Sequence, residues 1–135
     1  MSEELREIHV HDDVQFRVSL KSDGIVYVFF RPETEIDVEF QETLLKAYHE
    51  VTGGKKHPFL FEAADNVSVT KEARENAILI ENRSTVGATA ILVDNIANAL
   101  MANFYLKFNK PKHPYKVFRD RQEAVKWLLS LRIGL

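Results

Sequence analysis

The chain has no cysteine. A disulfide framework, a thiolate zinc site and a thiol nucleophile are thereby excluded. Nor is there an apolar run approaching the ~18 residues of a membrane span. No secretory leader is expected either, because charges separate Leu5, Ile8 and Val10 and no apolar stretch forms there. These absences lead to the expectation of a cytoplasmic protein with no membrane partner. Local catalytic signatures are also lacking: no G-x-S-x-G, no H-E-x-x-H and no P-loop. Gly53-Gly54-Lys55-Lys56 is no phosphate cradle, since it follows a helical pattern and meets the wrong end of the helix dipole.

What remains is an ordinary soluble composition, 45% apolar and 28% charged over 135 residues, enough for one domain spanning 1–135. The net charge of -2 gives no general attraction to nucleic acid or anionic lipid. Charge is unevenly spread. Residues 1–50 hold 12 acidic and 5 basic side chains. Residues 104–121 set Lys107, Lys110, Lys112, Lys116, Arg119 and Arg121 against Asp120 alone.

The hydrophobic pattern reads as alternating strands and helices. Residues 1–12 read as a polar, flexible arm. Val14, Phe16, Val18 and Leu20 alternate with polar residues, as in a half-buried strand. Ser22-Asp23-Gly24 supplies a turn, and Ile25 to Phe30 form a second strand, closing a hairpin before Pro32. Phe40, Leu44, Leu45, Tyr48 and Val51 share a helix face that Gly53 or Gly54 ends. Phe59 to Phe61 is a buried strand. Thr70 stands as N-cap to a helix with Ala73, Ala77, Ile78 and Ile80 on its apolar stripe. Ala88 to Val93 predicts another strand, and Asp94 caps a helix over 95–108. Tyr115 to Phe118 is the last strand. Asp120 and Glu123 make a capping box for a final helix that buries Ala124, Val125, Trp127, Leu128 and Leu131. The expected fold is an α/β layer with a mixed, mostly parallel five-stranded sheet and four helices.

Candidate chemistry from the residues themselves is sparse. His9-x-His11-Asp12-Asp13 has metal-ligand residue types, yet a mobile polar arm lacks the rigid support that a metal site needs. No metal site is therefore expected. His49, His57 and His113 are scattered, and no local motif gives any of them a nucleophile or an orienting carboxylate. Glu62, Asp65 and Asp94 follow strands, where carboxylates can serve acid–base chemistry, but turn formation and capping suffice to explain them. The Lys107–Arg121 segment mixes cations with Phe108, Tyr115 and Phe118. Since these rings suit buried positions, no nucleic-acid partner is expected.

The hairpin, LLKAYHEVTGG, FLFEAADNVSVTKEAR and the tail MANFYLKFNKPKHPYKVFRDRQEAVKWL resemble the STAS/SpoIIAA-like superfamily, the anti-sigma-factor-antagonist-type domains. Small stand-alone bacterial members of unknown function look most similar. The resemblance runs from residue 14 to 131 and implies a non-enzymatic, cofactor-free module that binds a protein partner, such as an anti-sigma-type regulator. It places partner recognition at Asn66, Ser68, Thr70, Lys71, Arg74 and Glu75. Relatives carry a phosphorylated Ser or Thr in a D-S-S-G-type motif before the second helix. Here the segment reads V-S-V-T-K-E, so that Ser68 and Thr70 are the available hydroxyls and helix capping already accounts for Thr70.

An apolar helix face or an uncovered sheet edge would allow a homodimer. The second reading is a domain of the same fold that binds a lipid- or nucleotide-like small molecule, with some of the nine Phe and four Tyr lining a pocket instead of filling the core. An enzyme is the third.

Overall fold

The computed structural model describes residues 4–95, 98 and 111–134. The helix expected over 95–108, with Ile96, Ala97, Leu100, Met101, Phe104 and Phe108, lies outside the described residues except at Asn95 and Asn98.

The main sheet has strands β1 (Glu7–Asp12), β2 (Phe16–Lys21), β3 (Val26–Phe30), β5 (His57–Ala63), β7 (Val86–Leu92) and β8 (Tyr115–Phe118), side by side in that order. β1–β2 and β2–β3 are antiparallel, while β3–β5, β5–β7 and β7–β8 are parallel. Two short strands, β4 (Glu35–Ile36) and β6 (Ser68–Val69), pair separately. The described helices are α1 (Val38–Thr52), α2 (Lys71–Arg83) and α3 (Arg121–Ser130).

The α/β class and mixed sheet are as the sequence indicates, but among the described residues the sheet has six strands, not five. The extra strand is β1, taken from the stretch read as a flexible arm. Its side chains are nearly all exposed, so an edge strand here needs no apolar alternation. It is anchored instead by backbone pairing and by Arg17, whose guanidinium donates to Glu7 at 2.6 Å and Asp12 at 2.8 Å. β2 begins at Phe16, leaving Val14 outside the ladder and exposed.

Local chemistry sets the boundaries. Asp37 accepts from the Phe40 N–H at 2.7 Å and caps α1. Gly53, at φ 63°, ends α1 with its N–H on the His49 carbonyl. Thr70 accepts from the Ala73 N–H at 3.1 Å, and Asp120 from the Gln122 N–H at 2.8 Å.

Two cores lie on opposite faces of the sheet. On one face, Phe16, Val18, Val28, Phe30 and Phe59 meet Phe40, Leu44, Tyr48 and Val51 of α1. On the other, Ile25, Leu60, Ala88 and Ala90 meet Ala124 and Leu128 of α3, with Val125, Trp127 and Leu131 packed at the margin. The small residues of β7 let α3 and the chain after it lie close. A side chain at Gly87 would run into Ile133.

α2 departs from the sequence reading. Of its expected stripe only Ala73 is buried. Ile78 is 48% exposed and the neighbouring Leu79 61%.

Candidate functional site

The chain leaves β3 and β5 at the same end of the sheet. In open α/β sheets, this carboxyl end is where loops converge on ligands. Here the two loops are tied together. Glu33 donates its N–H to the Asp65 carbonyl at 3.1 Å, and the Asn66 amide donates to the Glu33 carboxylate at 2.8 Å. β4 then pairs with β6, and the Thr70 N–H reaches the Ile36 carbonyl at 3.0 Å. Glu33 and Asn66 take the left-handed conformation, φ 67° and 61°, which is uncommon for residues with a Cβ. Reciprocal bonding between the loops holds both in place, a form of strain that clusters at recognition sites.

The residues singled out for partner binding are contiguous on this surface. Ser68 lies in β6, exposed. Thr70 is committed to its cap. Lys71 and Glu75 are exposed and 3.9 Å apart. Arg74 donates to the Val69 carbonyl at 3.1 Å. The patch continues along α2 into Leu79 and into Ile78, which the sequence reading put on the buried stripe.

α2 is fastened to the body largely by polar contacts. The buried Gln41 amide donates to the Ala73 carbonyl at 2.9 Å and accepts from Asn76 at 3.0 Å. Arg83 forms a bidentate pair with Glu42, at 2.5 and 2.9 Å. This pairing lowers the Glu42 pKa, mainly through the hydrogen bond. His49 contacts the Arg83 carbonyl at 3.2 Å.

A groove runs between α1, α2 and the sheet, with Leu44, Tyr48, Phe61, Ile80 and Ile91 on its walls. Thr89, His113 and Glu81 also border it. The Thr89 hydroxyl is 2.7 Å from His113 Nε2. His113 Nδ1 is 2.8 Å from Glu81 Oε1, an oblique approach that leaves Nδ1 without a well-directed hydrogen bond. Glu81 accepts the N–H groups of Lys112 at 2.6 Å and His113 at 3.2 Å. Burial lowers the His113 pKa. Glu81 opposes that shift and Lys56 adds to it. Sequence reasoning misses this cluster because its members come from α2, β7 and the segment before β8, with no fixed spacing.

The other candidates have structural partners. His11 contacts Glu50 at 2.9 Å and stacks on Phe16, and among the described residues no group of three or more His, Asp or Glu could hold a metal ion. His57 contacts the Gly24 carbonyl at 3.0 Å. Glu62 pairs with Arg121 at 2.6 Å, and Asp94 accepts from Asn95 and Asn98. Lys56 donates to the Ser84 carbonyl at 2.7 Å. In the basic tail, Lys116 lies over the Phe118 ring, while Lys107, Lys110 and Phe108 fall outside the described residues. Among the described residues no helix is long and apolar enough to cross a membrane.

An uncharacterised protein of the DUF3478 family from Shewanella loihica PV-4, described as having a SpoIIAA-like fold, is similar in structure. The TM-score is 0.55 at 13% identity, over 95% of this chain and 98% of that chain. At that identity the likeness is one of fold, and the fold here is SpoIIAA-like. No curated protein matches the sequence. The family described as Domain of unknown function (DUF7793) matches residues 18–132, and the chain belongs to it.

Proposed function

We propose that this domain is a regulatory module of the cytoplasm that binds a protein partner, of the anti-sigma type, through the loop 64–70 and the outer face of α2. The observation that carries this reading is the state of α2. One residue of the helix is buried, while Ile78 and Leu79 stand open beside Asn66, Ser68, Lys71, Arg74 and Glu75. Apolar side chains rimmed by charge are the usual composition of a recognition patch. The tied loops below supply a rigid base, which reduces the ordering cost of binding. Recognition of this kind needs no cofactor, metal, nucleic acid or membrane.

The test is affinity capture from the native cell. Wild type, Arg74→Ala and Leu79→Asp are compared after circular dichroism has established that all three fold. A partner recovered with wild type and lost with both variants is the expected result. Equal recovery by all three would remove this surface from consideration.

The groove favours a second reading, a small apolar or nucleotide-like ligand held against Tyr48, Phe61 and Ile91. Native mass spectrometry of freshly purified protein separates the two. A retained small molecule supports the second reading, and a co-purifying protein lost on Leu79→Asp supports the first.

A further inference from the structure

We propose that Thr89, His113 and Glu81 form an acyl-transfer site that cleaves carboxylic esters with apolar acyl groups. This goes beyond partner recognition and stands independently of it.

A hydroxyl becomes a useful nucleophile near neutral pH when a base lies within hydrogen-bond reach and a third group orients that base. All three parts are present. Thr89 Oγ1 and His113 Nε2 are 2.7 Å apart, and His113 Nδ1 faces Glu81 at 2.8 Å. With the ring proton on Nδ1, toward the carboxylate, Nε2 presents its lone pair to the Thr89 hydroxyl. Glu81 is itself held by two backbone N–H groups. The His113 and Glu81 side chains are 14% and 13% exposed, so water competes little for these contacts. The oblique approach at Nδ1 is the looseness expected of a catalytic contact before substrate arrives. Phe61, Ile80 and Ile91 on the groove walls give an apolar acyl group a surface to lie on.

The chemistry balances with water as the only co-reactant. Thr89 Oγ bonds to the acyl carbon while its proton passes to His113 Nε2 and the carbonyl electron pair moves onto oxygen. Collapse expels the alcohol, which takes the proton from Nε2. Water, deprotonated by the same imidazole, then attacks the threonyl ester. The carboxylic acid leaves and the Thr89 hydroxyl is restored.

Two probes test this: p-nitrophenyl butyrate turnover, and labelling by a fluorophosphonate with the modified residue located by peptide mass spectrometry. Wild type should release p-nitrophenolate and carry the phosphonyl group on Thr89. Thr89→Val and His113→Gln should lower turnover by at least about 100-fold, the scale of a lost acid–base group, while Thr89→Ser retains it. Turnover should fall as pH drops through the depressed His113 pKa, in a setting that includes Glu81 from α2, Lys56 from the segment before β5 and Thr89 from β7. Folded wild type with neither turnover above buffer nor a phosphonyl adduct on Thr89 would overturn the proposal. So would turnover unchanged in Thr89→Val.

Discussion

His113 is held neutral more firmly than a free imidazole, because burial outweighs the pull of Glu81. The consequence for stability has a definite sign. Between the depressed folded pKa and the ordinary value of about 6.5, the unfolded chain binds the proton and the folded chain does not. Stability from this group is therefore complete above that ordinary value and is lost as pH falls toward the folded pKa. Urea titrations at pH 7.5 and pH 5.5 should show wild type losing more stability than His113→Gln over that interval, and equal losses would refute the assignment. Thr70 offers a second test. Its hydroxyl caps α2, so Thr70→Ala should cost about 1 kcal/mol in urea melts and Thr70→Ser much less. That role was legible in the sequence, because a cap needs only a residue type and a position. The Thr89–His113–Glu81 cluster was not, because tertiary folding alone brings those residues together.

Elements that bury one face could be read from period alone. α1 carries its apolar residues at helical spacing and buries them against β2, β3 and β5. β1 is harder to read, since only Ile8 and Val10 alternate with polar residues and both stay exposed on an edge strand secured by Arg17 and backbone pairing. α2 misleads for the opposite reason. Its apolar residues suggest an inward stripe, yet Gln41, Asn76, Glu42 and Arg83 do much of the fastening. Replacing Gln41 with Leu should leave the Asn76 amide without its acceptor and cost about 1–3 kcal/mol. Ile78→Ser on the open face should change stability by no more than about 0.5 kcal/mol. Chemical denaturation of both variants checks the contrast, and a large loss from Ile78→Ser would mean that this side chain is not free.

Across the whole molecule, one sheet separates two apolar layers, with α1 on one side and α3 on the other. Each layer should be indispensable. Leu60→Ala beneath α3 should cost about 2–5 kcal/mol and Phe16→Ala beneath α1 about 3–5 kcal/mol. A loss below 1 kcal/mol for either would show that its layer is not packed as described. The SpoIIAA-like architecture was legible because it depends on the order of elements, whereas the sixth strand and the exposure of α2 depend on contacts between distant segments. The proposed function rests on that difference in attachment: α1 and α3 belong to the cores, and α2 lies on the surface with Ile78 and Leu79 exposed. Native-state hydrogen exchange tests this most directly. Amides in the middle of α2 should exchange well before those of α1 under conditions where the whole protein stays folded. Protection of α2 equal to that of α1 would contradict the account.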